Sequence, residues 1–284
     1  MSDSPFIPDF PDPVRRVVRA AWRENAMTTG ERAVPEETPV ALTYNGTTQA
    51  VMMASPRDIA DFALGFSLTE GIVASPADLI SLDVIAVEDG IEARMWIAED
   101  RMARLSARRR HLAGPTGCGL CGVESLAEAI RPAAHVAADA IFTPEALLAA
   151  MALLGPAQTL NHATRAVHAA GYFEPGRGLL AVCEDVGRHN ALDKLVGKVA
   201  ALQAQPARGL LLLTSRVSIE MVQKAAVLGV GVIAAVSAPT SLAIRTADAA
   251  GVTLAAIVRP DGFEVFTHPA RIAPGPAQKQ THVA

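Results

Sequence analysis

"GLLLLTSRVSIEMVQKAAVLGVGVIAAVSAPTSLAIRTADAAGVTLAAIVR", residues 209–259, carries the reading of the fold. Its three apolar runs, GLLLLTSR, VGVIAAVSA and VTLAAIVR, suit strands buried on both faces. Between them, SIEMVQKAAVLG has helical spacing, with Ser218 as N-cap and Gly229 as stop, and TSLAIRTADAAG follows the same plan. Strand, helix, strand, helix, strand predicts right-handed crossovers and a largely parallel sheet. Upstream, GLLAVCEDVG adds a strand, and GFEVFTH after the quoted run reads as a last edge strand. The expected class is α/β, with a C-terminal three-layer α/β/α domain over residues 136–272.

Outward from that domain the texture changes. Residues 1–36, with four prolines before Val14, read as an extended arm. Residues 37–135 read as a smaller α+β region, and 273–284 as a flexible tail. In the α+β region, apolar alternation flanks Asn45-Gly46, the dipeptide that favours a type I′ hairpin turn. Ser55-Pro56 is expected to open a helix with proline in its first position, carried by Ile59, Phe62, Ala63 and Phe66 and stopped by Gly71. A second hairpin turns at Asp89-Gly90. A helix over 101–113 holds five arginines, and another over 143–154 has Thr143 as N-cap and Pro144 at its first position.

Function concentrates at strand ends, because ligands of open α/β sheets gather at the carboxyl edge. CEDVGRHNALDKLVG places Glu184, Asp185, Arg188, His189 and Asn190 in a turn, followed by Asp193 and Lys194 on a helix. So many adjacent polar groups exceed the needs of a cap and point to a site. Ser215, Arg216, Ser218, Glu220 and Lys224 follow the next strand; Ser237, Pro239, Thr240 and Ser241 follow the one after. Hydroxyls and arginines beside helix N-termini suit a phosphate-bearing ligand. Cys183, ending an apolar strand, is expected in the core.

The other chemistry-bearing stretch is RRRHLAGPTGCGLCGVE, residues 108–124, with Cys118 and Cys121 in a C-x-x-C pair among glycines. A zinc site needs two further ligands, which His111, His162, His168 or His189 could supply. A thioredoxin-like dithiol wants a helix N-terminus after a strand. Sulfur transfer needs an exposed thiolate on a yielding loop, and Gly117, Gly119 and Gly122 provide one. On residue types alone metal leads, with redox and sulfur transfer beside it.

Composition narrows the field. Half of the 284 residues are hydrophobic, 19% are charged and the net charge is −4. That is a globular composition with no general affinity for nucleic acid, and only 4% of residues are aromatic. The longest apolar run, 225–238, falls short of the roughly 20 residues of a membrane span. The N-terminus has no signal-peptide pattern, and an odd count of three cysteines fits a reducing cytoplasm.

TGCGLCG, EDVGRHNALDKLVG, SRVSIEMVQKA and VSAPTSLA, together with PVALTYNG, MMASPRDIADFALGFSLTEGI and THPARI, resemble the FdhD family of formate dehydrogenase accessory sulfurtransferases. The resemblance spans residues 35–272. It implies a cytoplasmic homodimer that takes persulfide sulfur from an L-cysteine desulfurase. The sulfur goes to the bis-molybdopterin guanine dinucleotide cofactor of the molybdenum enzyme formate dehydrogenase, with no permanent metal in the carrier. By motif, Cys118 would carry the persulfide and Cys121 would be the second thiol. The cofactor-binding stretch, including its guanine nucleotide, would be Ile257, Val258, Arg259, Pro260, Asp261 and Gly262; Gly262 stands where family members can have a second basic residue. The implied C-terminal fold is similar to cytidine deaminases. Deaminase chemistry itself is not expected: Pro115 does not directly precede Cys118, and His162 lacks the following x-Glu. A zinc-binding C-x-x-C module and a non-catalytic cofactor-binding chaperone of formate dehydrogenase are the alternatives.

Overall fold

The computed structural model describes residues 10–110 and 131–273. The C-x-x-C stretch with Cys118 and Cys121, the first nine residues and the tail beyond Ala273 lie outside them. The described chain is mixed α/β and forms two compact units interleaved along the sequence. The first takes in Gln158–Ala170 and Ala181–Ala204 as well as the N-terminal part, segments that a single cut after residue 135 assigns to the C-terminal domain.

The first unit begins differently from the expected arm. β1 (Val14–Arg23) and β2 (Ala26–Pro35) pair antiparallel over all ten positions. Glu24 and Asn25 turn the chain with φ of 51° and 59°, the left-handed pair that a two-residue hairpin turn requires. A four-stranded sheet follows in the order β4-β3-β6-β5, from β3 (Thr38–Tyr44), β4 (Thr47–Ala54), β5 (Leu79–Val87) and β6 (Gly90–Ile97). Asn45 and Gly46 make the expected left-handed turn, with φ of 45° and 77°. The inner face of this sheet buries Val40, Leu42, Tyr44, Ile91, Ala93 and Met95. α1 (Ile59–Thr69) covers it, with Phe62 fully buried and Ser67 paired to the Tyr44 hydroxyl at 2.7 Å. Helix formation starts three residues later than Pro56, because Ser55 is drawn into a buried polar cluster and Asp58 adopts a left-handed φ of 54°. α2 (Glu99–Arg110) ends the described part of the arginine-rich segment.

The second unit holds α3 (Pro144–Ala157), whose Thr143 hydroxyl accepts from the Ala146 N–H at 3.1 Å, as its sequence predicts. The short α4 (Thr159–Thr164) returns to the first unit. β7 (His168–Glu174) and β8 (Gly178–Asp185) each have residues in both units, and β8 leads to α5 (Arg188–Ala201) of the first unit. Then come β9 (Leu210–Leu213), α6 (Ile219–Leu228), β10 (Val232–Ala235), α7 (Ser241–Ala249), β11 (Thr253–Arg259) and β12 (Gly262–Thr267). β9, β10 and β11 are parallel neighbours, as the quoted stretch predicts, and β12 is the expected edge strand, paired antiparallel. The sheet order is β12-β11-β10-β9-β7-β8. Gly229 caps α6 in the left-handed region, φ 85°, and the Thr240 hydroxyl caps α7 by accepting from the Ala243 N–H. Among the described residues no helix is long and apolar enough to cross a membrane.

Candidate functional site

In the first unit, the end of β8 and the start of α5 place the polar run that the sequence singles out. Asp185 and Lys194 are fully buried and paired at 2.6 Å. The other carboxylate contacts are spent within the protein: Asp185 Oδ2 accepts from the Ser55 N–H, and Oδ1 from the Gly187 N–H and the Asn190 amide. Lys194 Nζ also donates to the Ser55 carbonyl at 2.8 Å, and the Asn190 amide to the Met53 carbonyl. Glu184 accepts from the Leu160 and Asn161 N–H groups, each at 2.8 Å, and so satisfies the first turn of α4. Asp193 accepts from the Thr69 hydroxyl at 2.7 Å.

Five of the seven expected site residues therefore tie the Ser55 loop, α1 and α4 to the end of β8 and to α5. A buried ion pair is held only when every lone pair and proton finds a partner, and this one is dense with them. The reading of that run as a ligand cluster is corrected, for these five residues, to a structural bolt. Arg188 Nε is buried without a hydrogen bond. Half-buried His168, the first residue of β7, has its pKa lowered by burial, then by the Arg188 charge. The N-cap of α5, Gly187, has no side chain to occupy the first-turn N–H groups. A neutral imidazole, a guanidinium and a helix N-terminus make a local anion-favouring corner. No motif in the sequence marks His168 as its neighbour, and Ser55 is visible as a site residue only through its partner 130 residues away.

In the second unit, three parallel strands end at one sheet edge. After β9 come Ser215, Arg216 and Ser218; after β10 come Ser237, Thr240 and Ser241. The two loops are zipped by Thr240 N–H to the Val217 carbonyl at 2.9 Å, with a parallel bridge between Val217 and Pro239. Ser218 stands at the N-cap of α6, yet its hydroxyl makes no cap bond and is buried without a partner. At the end of β11, Ile257 has a φ of 55° and donates to the Ser237 carbonyl at 3.3 Å. A β-branched residue there is strained by about 1–2 kcal/mol. The ladder is irregular from Ala256 to Arg259, and Arg259 pairs with Gly262 around Pro260-Asp261. Exposed Arg259 donates to the Val236 and Val258 carbonyls at 2.6 and 2.8 Å. The stretch Ile257–Gly262 is thus a tight, strained hairpin turn at the same edge as the serines.

Comparison with known proteins decides the family. The FdhD/NarQ family model matches residues 35–273. The chain belongs to the FdhD/NarQ family. It is 52% identical over 259 residues to the sulfur carrier protein FdhD of Agrobacterium fabrum, covering 91% of this chain and 96% of the relative. The corresponding protein of Brucella abortus is 54% identical over 259 residues, with the same coverage. The fold is similar to the crystal structure of a chain assigned as a formate dehydrogenase accessory protein from Desulfotalea psychrophila. That match has a TM-score of 0.72 at 23% identity and covers 92% of this chain and all of the other.

For an FdhD/NarQ chain, the described residues show the environment of one of the three cysteines. Cys183 is in the core, as expected, and burial pushes its thiol up to about 12. It is therefore a poor nucleophile at neutral pH. Cys118 and Cys121, the two thiols that the sequence assigns to chemistry, are outside the described residues. Among the described residues no group of three His, Cys, Asp or Glu side chains is gathered as a metal site would require.

Proposed function

We propose that this chain is a cytoplasmic persulfide carrier that takes sulfur from an L-cysteine desulfurase and gives it to the bis-molybdopterin guanine dinucleotide cofactor of formate dehydrogenase. The observation that carries the reading is the identity of over 50% to sulfur carrier proteins along nine-tenths of the chain. Loading is a thiol exchange: the Cys118 thiolate attacks the terminal sulfur of the donor's persulfide, and the donor cysteine leaves as a thiolate. Delivery follows when the Cys121 thiolate attacks Cys118 Sγ, closing a disulfide and releasing the outer sulfur as hydrosulfide to the acceptor. A cellular dithiol then reduces the pair. The core thiol Cys183 is left out of this cycle by its burial.

The acceptor is large, anionic and ends in guanine nucleotides. Ile257, Val258, Arg259, Pro260, Asp261 and Gly262 form its proposed contact stretch. The unpartnered Ser218 hydroxyl and exposed Arg216 at the same edge support this, since a phosphate is an acceptor for both. The same reading takes the C-terminal domain as a cytidine deaminase-like α/β/α fold and the working form as a homodimer. Cells lacking their own copy and supplied with the Cys118→Ala variant should produce inactive formate dehydrogenase despite normal levels of the variant. Full rescue by a Cys118→Ala/Cys121→Ala double variant would replace the carrier with a cofactor chaperone. Stoichiometric zinc bound to the purified protein through Cys118 and Cys121 would make the pair a metal site.

A further inference from the structure

The bolt around Asp185 leaves the role of Arg188 open. A guanidinium carries only N–H donors and keeps its charge, so burying part of it calls for an acceptor. Arg188 is partly buried, and its Nε is buried without a hydrogen bond among the described residues. The two carboxylates nearest along the chain are committed to other donors. Asp185 accepts from Lys194, Ser55, Gly187 and Asn190. Glu184 accepts from the Leu160 and Asn161 N–H groups.

The chain brings an imidazole to the same place. β7 and β8 are sheet neighbours joined through residues 175–177, a connection short enough only for antiparallel pairing. The start of β7 therefore stands beside the end of β8, and His168 beside the turn that leads into Arg188. The Arg188 charge reaches the imidazole, as do those of Asp185 and His189. Burial, the largest influence, keeps His168 neutral at neutral pH, with one ring N–H to donate. Gly187 has no side chain that could fill the corner.

Charge selects the ligand. Lys194 cancels Asp185, and a neutral His168 leaves the single positive charge of Arg188. A partly desolvated corner of that kind suits a compact monoanion better than a doubly charged phosphate, whose second charge would lose its water without gaining a partner. The sulfur cycle set out above releases such an ion, hydrosulfide. We propose that Arg188 and His168 form a hydrosulfide site, with the guanidinium Nε–H and an imidazole N–H donating to the sulfur. The source of the ion rests on the carrier reading; the site itself rests on the unpartnered guanidinium nitrogen.

The test is an NMR titration of the reduced, full-length protein with sodium hydrosulfide at mildly alkaline pH and without oxygen. The His168 ring signals, assigned by their loss in His168→Gln, should shift saturably. Arg188→Gln should weaken binding roughly ten- to hundred-fold, the loss of one charge-assisted hydrogen bond. Arg188→Lys, which keeps the charge, should fall between the two, with unchanged circular dichroism spectra showing both variants folded. Chloride, formate and phosphate at equal ionic strength should each bind more weakly than hydrosulfide. A shift that is absent or does not saturate, or one that is equal in wild type and Arg188→Gln, would overturn the site. Tighter binding of any competitor would overturn the choice of ligand. No desulfurase takes part in this titration, so a protein that binds hydrosulfide but never gains persulfide sulfur would refute the carrier reading and leave the site standing.

Discussion

Gly65 on α1 and Gly197 on α5 face each other where the two helices cross with their backbones in contact. A Cβ on Gly65 would stand 1.7 Å from the Asp193 carbonyl oxygen, and one on Gly197 would stand 2.0 Å from that of Asp61. Neither neighbour is a side chain that could turn aside. The crossing sets α5, and with it Asp193 and Lys194, against α1.

Gly65→Ala and Gly197→Ala should therefore each cost about 3 kcal/mol, the upper end of overpacking, although alanine is the better helix former. Urea unfolding of each variant measures this. Gly155 on α3 is the control: a β-carbon there would meet no atom within 4 Å, so Gly155→Ala should be neutral or slightly stabilising.

Lys194→Met should destabilise by about 3–5 kcal/mol, because it strands the buried Asp185 carboxylate. Adding Asp185→Asn should recover part of that loss, so the double variant should be more stable than the two single losses summed. A double-mutant cycle in urea reads the coupling. Additive losses would mean that the pair is not the bolt its geometry describes.

His168 gives a pH dependence with a definite sign. Its pKa is held below the ordinary 6.5 by burial and by Arg188, so the unfolded chain binds the proton more readily than the folded one. Its contribution is then constant above about pH 6.5 and is lost as the pH falls toward the folded value. The stability of the wild type relative to His168→Gln should be constant above about pH 6.5 and should fall as the pH drops below it. An NMR titration of the imidazole locates the folded midpoint directly.

Cys183 should be unreactive in the native protein. Its thiol is buried and pushed up to about 12, so a neutral-pH alkylating reagent should modify it only after denaturation. Peptide mapping after native and denatured labelling distinguishes it from Cys118 and Cys121. Native labelling of Cys183 would place a reactive thiol where the fold puts a core residue.

The strand–helix alternation of residues 209–259 is legible because each element is punctuated: Ser218, Gly229 and Thr240 sit at helix ends for reasons of backbone chemistry that a sequence displays. The β1–β2 hairpin is not, since Glu24-Asn25 lacks the glycine that usually marks a left-handed turn. Both its faces are also exposed, so no burial pattern alternates along it. The run 184–194 displays its polar residues but not their use. Asp185 reads as a site residue until Ser55 arrives from the other end of the unit to occupy it. Pro56 misleads in the same way: it is a good first residue for a helix, but the buried Ser55 cluster and the left-handed Asp58 delay the helix to Ile59. The turn Ile257–Gly262 is located by resemblance, while its strain at Ile257 is visible only in the backbone.

The most direct test of sulfur carriage is the intact mass of the purified protein before and after incubation with a cysteine desulfurase and L-cysteine. Persulfide chemistry at Cys118 predicts a gain of one sulfur atom, mapped to that residue, removed by a thiol reductant and absent from Cys118→Ala. An unchanged mass in the wild type, or a gain that persists in Cys118→Ala, would contradict it.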